Sequence, residues 1–414
     1  MMSETIRIIY VLQTDMASVD KKALLDYFNT LEDDILLQLV QFLPANDLDA
    51  ISLAWKYIAL NFLPNHPVVW KKLFIHHWQL RNFSLVPDAA ECIDIHPSLQ
   101  KLFSGYSQSR IYQLLTHAIT YVPSSIDLPA CDPNIRPISF VDSHHGDSKR
   151  KPCYPHRAVD IAYSGHWLGG DRAVRSNVPF SFKPRVAIYT KSADTASRWV
   201  YQVGVALHSY FEITLSGVER PEVQRVFGSS MVSIGFANAY FHLVDKQPGW
   251  DIHSYGYHGD DGRYYHNSGR GQIFGPRFNV GDTVGCGYTI NHQANVMELF
   301  FTKNGQRIPA RDNILVCDLH DEMYPVVGID STDAVHFNLG QEPFHYDFVD
   351  ELFEHTTHAD VDPGNYLPWL LLSDNERDSY SSETDDEPMI DSNPEFYIQD
   401  MVEMMDDDDL SDRS

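Results

Sequence analysis

The densest run of side chains able to do chemistry is His253, His258, Asp260, Asp261 and His266. Imidazoles and carboxylates at such spacing are metal-ligand material. This run is interleaved with glycines, however, and aspartate beside glycine is the chemistry of tight turns. It therefore reads as a turn and hydrogen-bonding segment. Glu351, Glu354, His355 and His358 share a helical spacing and read as a solvated face. Gly269, Gly271 and Gly275 imitate a nucleotide loop. Pro276 and the strand-like Thr283–Ile290 follow where such a loop needs a helix, so these are turn glycines. No Gly-x-Ser-x-Gly elbow, His-Glu-x-x-His pair or phosphate loop ending in Gly-Lys-Ser/Thr occurs in the sequence. The expectation is a protein without catalysis, cofactor or metal.

A second constellation is aromatic: Tyr240, Trp250, Tyr255, Tyr257, Tyr264 and Tyr265. Alternation along strands would bury about half of these in a core. Those left on loops would give rigid contact area at low entropic cost, as recognition surfaces do. The elements around them are short and β-rich. Trp199–Val205 and Tyr210–Leu215 are β-branched and aromatic runs. Met297–Phe301 followed by Lys303-Asn304-Gly305-Gln306 predicts a hairpin with a type I′ turn. Many short strands with glycine-rich turns imply an antiparallel sandwich.

The N-terminal part has a different period. Leu31, Ile35, Leu36, Leu39, Val40 and Leu43 recur at helical spacing after Thr30, with Pro44 as the stop. Asn46 and Asp49 start a second helix carrying Leu48, Ile51, Trp55 and Ile58; a third holds Val69, Trp70, Leu73 and Phe74. About fifty residues is marginal for burying so much apolar surface alone, so a spare face needs a partner. Ser98–Tyr121 predicts a further helix interrupted at Gly105, and the Pro-, Ser-, His- and Asp-rich chain after Tyr121 reads as linker.

Length and charge set outer limits. A chain of 414 residues, 43% hydrophobic, holds two or three domains. The net charge of −26 argues against a nucleic-acid backbone as partner. Ser373–Ser414 carries 16 acidic residues against 2 arginines, so −14 of that charge sits in a tail expected to be disordered. Five scattered cysteines fit a reducing compartment, which with the short, interrupted apolar run Ile6–Leu12 gives a soluble cytoplasmic or nuclear protein off the membrane. The expected organisation is an N-terminal segment 1–22, a helical domain 23–78, a linker region 79–178, a sandwich 179–348, an extension 349–372 and an acidic tail 373–414.

Two resemblances give these parts a role. Val-Ser-Ile-Gly-Phe-Ala at Val232–Ala237, the words from Pro248 to Gly262, Tyr-Pro-Val-Val-Gly-Ile-Asp at Tyr324–Asp330, and Asn338–Phe344 together resemble a SPRY domain of the RanBPM kind. The run Leu31–Leu48, a following Trp55, and Val68-Val-Trp-Lys-Lys-Leu73 resemble an F-box, although Glu32 stands where that family usually has proline. The fold implied is α+β and multidomain: a small helical F-box-like domain, then an antiparallel β-sandwich. The F-box resemblance implies that Leu31, Ile35, Leu36, Leu39, Leu43, Leu48 and Trp55 dock on a Skp-family linker protein of a cullin ubiquitin ligase. The SPRY resemblance implies that rim residues Asn238, Tyr240, Tyr255, Tyr257, Asp330 and Ser331 hold a short substrate peptide. The chain would then be a substrate adaptor of such a ligase. The alternative is a non-catalytic interaction scaffold without ligase recruitment.

Overall fold

β-branched and aromatic residues at alternate positions define the strands, and their register defines two packed sheets. In chain order the strands are β1 (Ile93–Ile95), β2 (Ile135–Pro137), β3 (Asp160–Tyr163), β4 (Ala173–Arg175), β5 (Arg185–Ser192) and β6 (Trp199–Ala206). There follow β7 (Ser209–Ser216), β8 (Val232–Ala237), β9 (Ser254–His258), β10 (Arg263–His266), β11 (Gln272–Ile273) and β12 (Thr283–Asn291). The last are β13 (Val296–Lys303), β14 (Gln306–Arg307), β15 (Val316–Asp318), β16 (Tyr324–Ile329) and β17 (Ala334–Asn338). Among the described residues, the α-helices described from end to end are α1 (Val68–Arg81), α2 (Pro97–Leu102), α3 (Gln108–His117) and α4 (Val349–Glu354). This computed structural model describes residues 68–85, 92–138, 159–164, 170–192, 199–217, 231–291, 296–309, 316–318 and 322–354, with isolated positions between 36 and 66.

One antiparallel sheet runs β11-β10-β9-β8-β16-β4, the other β14-β13-β12-β7-β17-β3-β2 with β15 beside β13. Their facing sides make the main core. β8 contributes Val232, Ile234 and Phe236, β7 Phe211, Ile213 and Leu215, and β12 Val284, Cys286, Tyr288 and Ile290. That period of two is the strand signature. Phe236 meets Tyr288 edge-on across the layers at 5.1 Å. The turn joining β13 to β14 has Asn304 at φ 48° and Gly305 at φ 75°, the double positive φ of the expected type I′ hairpin.

The second sheet is buried on its outer side as well. Tyr210 of β7 stacks on Phe300 of β13 at 5.7 Å. Tyr189, Phe348, Leu352 and Phe353 cover them in a separate core, which explains why these strands read as nearly continuous apolar runs. Glu212 lies on this face, almost fully buried. It accepts hydrogen bonds from the Tyr210 hydroxyl (2.7 Å) and from the backbone N–H groups of His345 (2.8 Å) and Tyr346 (2.9 Å). Burial pushes its carboxyl above the ordinary range, and these donors pull the other way.

A third sheet, β1-β6-β5, joins the upstream chain to this outer layer, with β1 parallel to β6. Helix α4 clamps it: Asp350 meets Lys191 at 2.5 Å and His96 at 3.2 Å. Gly204 is glycine because a Cβ there would lie 2.5 Å from the Phe353 ring.

The region read as linker needs correction. β2, β3 and β4 all fall within 79–178 yet belong to the two sandwich sheets. Strands of three or four residues are too short to show a period in sequence. The helix expected at Ser98–Tyr121 is present as α2 and α3, broken at Gly105 with φ 100°. Asn82, which begins an Asn-Phe-Ser sequon, is buried: its amide donates to Thr120 O and its oxygen accepts from Val122 N–H. It is a structural bracket between α1 and the chain after α3. Of the F-box-like face, Leu36 and Leu48 are buried inside the chain's own fold, so neither is free to dock on a partner, and Leu43 is half-buried. Leu31, Ile35, Leu39 and Trp55 lie outside the described residues, as does the acidic tail.

His336 ties β17 to β3, lying 2.7 Å from Asp160 and 3.4 Å from Glu342. Burial alone would lower its pKa; bonds and charge from the two carboxylates outweigh it and raise the imidazole to about 10. A raised folded pKa stabilises the fold below the ordinary histidine value near 6.5 and is lost as pH climbs toward 10. His336→Gln should therefore lower the melting temperature most at pH 6, with the gap to wild type closing by pH 9.5. A gap that is constant with pH in thermal melts refutes this.

Candidate functional site

Between the end of β8 at Ala237 and the start of β9 at Ser254 lies a long connection, although these two residues are paired in the sheet. A hairpin needs only a few residues there. The surplus, residues 238–253, folds back as a strap across the outer face of the six-stranded sheet. Val244 forms a bridge with Arg172 beside β4, and the Ala173 N–H donates to Leu243 O at 2.7 Å. Ser233 Oγ donates to Gln247 Oε1 at 2.8 Å. His258 Nε2 lies 2.8 Å from Pro248 O, and its ring stacks on Tyr265 at 4.0 Å. Burial holds His258 below the usual histidine range, so it is the neutral Nε2–H tautomer that donates to this carbonyl.

The sheet is shaped to receive the strap. Gly256 faces outward on β9, and a Cβ there would collide with the Pro248 carbonyl. The strand pairing places Gly235 opposite Gly256 and Ser233 opposite Gly328. The small residues in the sequence words that resemble a SPRY domain are thus the bed on which the strap lies.

Where the strap turns outward it leaves two adjoining clefts. One, of about 820 Å³, is lined by Tyr240, His242, Lys246, Ile252, His253 and Asn267 among others. The second, of about 420 Å³, shares His242 and Lys246 and adds Ala130, Arg175, Val244 and Asp245. Large apolar side chains stand exposed around them: Tyr240 at 70%, Ile252 at 60% and Val244 at 58%. Lys246 is held by Asp251 at 2.6 Å, an interaction that keeps the Asp251 carboxyl below its ordinary range despite partial burial. Arg175 lies over the Tyr324 ring at 4.7 Å. Apolar anchors ringed by polar groups on a preformed surface suit capture of a partner.

The residues expected to form a rim are distributed differently. Tyr240 lines the larger cleft. Asn238 shapes the turn beneath it: its Oδ1 accepts from Tyr240 N–H at 3.0 Å and its amide meets His253 Nδ1 at 3.2 Å. Tyr255 is half-buried, stacked on His266 at 4.2 Å. Tyr257 is fully buried among Phe274, Phe278 and Phe301, with its hydroxyl on Pro276 O, and cannot contact a ligand. The sequence around Gly256 looked like a turn, but it is strand β9; the glycine makes room for the strap, and Tyr255 and Tyr257 alternate toward the core. Asp330 is buried beside Arg172, accepting its backbone N–H at 3.3 Å. Burial, then the charge of Asp171, lifts its carboxyl to about 6. Asp330 and the half-buried Ser331 lie outside both clefts. His242, Val244, Lys246 and Ile252 are not among the residues singled out from the sequence, although the first three lie on the Ala237–Gln247 loop to which the SPRY resemblance maps the rim; Ile252 lies beyond it.

The His and Asp run has structural work. His266 Nδ1 meets Ser254 O at 2.9 Å, and Asp261 accepts from the Tyr265 hydroxyl at 2.6 Å and from Arg263 N–H at 2.9 Å. Glu351 is exposed on α4, and His355 and His358 lie outside the described residues.

Residues 209–342 match the SPRY domain family. Ran-binding protein 9 of Danio rerio is 43% identical over 115 residues, which are 28% of this chain and 18% of that protein. The Ran-binding proteins 9/10 homolog of Drosophila melanogaster is 36% identical over 146 residues, 35% of this chain and 13% of that protein. A crystal structure of a human SPRY domain is 25% identical, covering 44% of this chain and 91% of that one with a TM-score of 0.29. The chain thus spans about a quarter or less of the length of the Ran-binding relatives it matches. Residues 209–342 are a SPRY domain with homology to Ran-binding proteins 9 and 10.

Proposed function

We propose that this protein is a non-catalytic interaction scaffold of the cytoplasm or nucleus, whose SPRY domain captures a short extended peptide of a partner protein. The observation that carries the proposal is the exposure of Tyr240, Val244 and Ile252 around two adjoining clefts on a firmly bonded strap. Clefts strung along Ala239–Lys246 fit an extended segment better than one compact molecule. A peptide with a bulky apolar side chain would seat it between Tyr240 and Ile252, where burial of each side chain contributes about 1.5–3 kcal/mol.

Tyr240→Ala with Ile252→Ala tests this. Peptides enriched from a random phage-displayed library on the wild-type chain should bind the double variant at least tenfold more weakly. Both side chains are exposed, so the melting temperature should stay within about 2 °C of wild type. Unchanged affinity in titration calorimetry would place the site elsewhere.

Recruitment of a cullin ligase through a Skp-family linker is the second reading. It is supported by the F-box-like words at Leu31–Leu48 and Val68–Leu73, whereas the burial of Leu36 and Leu48 speaks against an open docking face. Copurification of linker and cullin with the wild type but not with Ile35→Asp/Leu39→Asp would favour that reading. Their absence from both leaves the scaffold.

A further inference from the structure

The second cleft is not made by the SPRY segment alone. Ala130 and Arg175 line it together with Leu243, Val244 and Asp245, and both precede residues 209–342. Several separate contacts hold the chain from Ile126 to Asp132 in place. Ile126 bridges Ser176 and enters the main core. The Asp127 N–H donates to Arg175 O at 2.9 Å, and the Asp127 carboxylate lies 3.8 Å from the Arg175 guanidinium. Cys131 is buried in the same core with Leu128 packed beside it. Asp132 accepts from Arg172 Nε at 3.3 Å, and that guanidinium lies 3.8 Å over the Tyr163 ring. Arg172 is also the residue that bridges Val244 of the strap. The upstream segment and the strap are therefore two walls of one cleft with a common anchor.

We infer that Ile126–Asp132 is a specificity-determining part of the recognition surface, so that a peptide held by the strap is also read by Ala130 and Arg175. This rests on the peptide-binding reading above. The chemistry of the cleft names the class of ligand. Ala130, Leu243 and Val244 offer a small aliphatic surface. Arg175, whose Nε–H has no hydrogen-bond acceptor among the described residues, stands beside it with Lys246 and His242. The fit is a peptide with a medium aliphatic side chain next to a carboxylate, which a guanidinium receives through charge-assisted hydrogen bonds.

The test uses the full-length chain and a random dodecapeptide phage library. Peptides selected on wild type are titrated against Ala130→Trp, Ala130→Glu and Tyr240→Ala, and selection is repeated on each variant. Ala130 is exposed, so its substitutions leave the sandwich folded; should the tryptophan lower the melting temperature, the glutamate variant carries the comparison. The expected result is a loss of at least tenfold for both Ala130 variants, with Ala130→Glu enriching peptides that lack acidic residues at one end only. If the Ala130 variants keep wild-type affinity and the same consensus while Tyr240→Ala loses binding, the inference fails and the scaffold reading stands. If Tyr240→Ala also binds normally, or the library enriches nothing on wild type, both readings fail.

Discussion

Replacing Glu212 by alanine is expected to strip the outer layer from the second sheet. Three donors point at this one carboxylate: the Tyr210 hydroxyl and the N–H groups of His345 and Tyr346. The two backbone N–H groups would lose their acceptor, at roughly 1–3 kcal/mol each, while the Tyr210 hydroxyl would keep Thr302 Oγ1 at 2.6 Å. Part of that is recovered by relaxation, because residues 344–348 can pull away toward water. A net loss on the order of 3 kcal/mol follows, which for a domain of this size lowers the melting temperature by roughly 6–12 °C. Glu212→Gln keeps the shape but turns an amide donor toward other donors, so it should fall between alanine and wild type. Near-ultraviolet circular dichroism would follow the loss, since Tyr210, Phe300, Tyr346 and Phe348 pack together there. A Glu212→Ala protein melting with wild type would show that this layer is not held by the carboxylate.

The second large effect is expected at Gly256. Its outward face is occupied by the Pro248 carbonyl, so Gly256→Val must lift backbone rather than move a side chain. Lifting Pro248 breaks the bond to His258 Nε2 and disturbs the strap that carries Ile252 and Lys246. Overpacking of this kind costs about 1–3 kcal/mol. The larger consequence is for recognition: library-selected peptides should lose binding by a hundredfold or more, well beyond what the stability loss explains. Amide exchange should quicken along 243–250 and remain slow in β12 and β13. Uniform exchange across both sheets, or preserved affinity, would contradict a strap positioned by this glycine.

Most of the sandwich was legible because its chemistry is local. Asn304-Gly305 dictates its own turn, and the β-branched and aromatic runs of β7 and β13 mark them as strands as written. Words such as Val-Ser-Ile-Gly and Tyr-Gly-Tyr-His mark positions where one layer presses on another, which is why they resemble a known domain. The binding surface was less legible. Exposure of Val244 and Ile252 depends on where the strap turns, and nothing in their neighbours encodes it. Tyr257 carries the same residue type as Tyr240, yet one fills the core and the other faces solvent. Asp330 looked like a ligand contact and instead holds Arg172, a partner 158 residues away. Short strands such as β2 and β4 owe their state to the sheet they join, so they carry no independent signal.

The parallel pairing of Ile93 with Tyr201 also bears on how the protein is made. β1 leaves the ribosome long before β6, and the helix that clamps both, α4, comes later still. Its hydrogen-bonding edge must wait unpaired during that interval. Non-local pairings of this kind slow folding and leave nascent strands open to wrong partners. Synthesis halted before Val349 would yield a chain with β1 and β6 present but Phe353 missing from its place over Gly204. Such truncated chains should be bound by chaperones and degraded rapidly, while the full-length product is released.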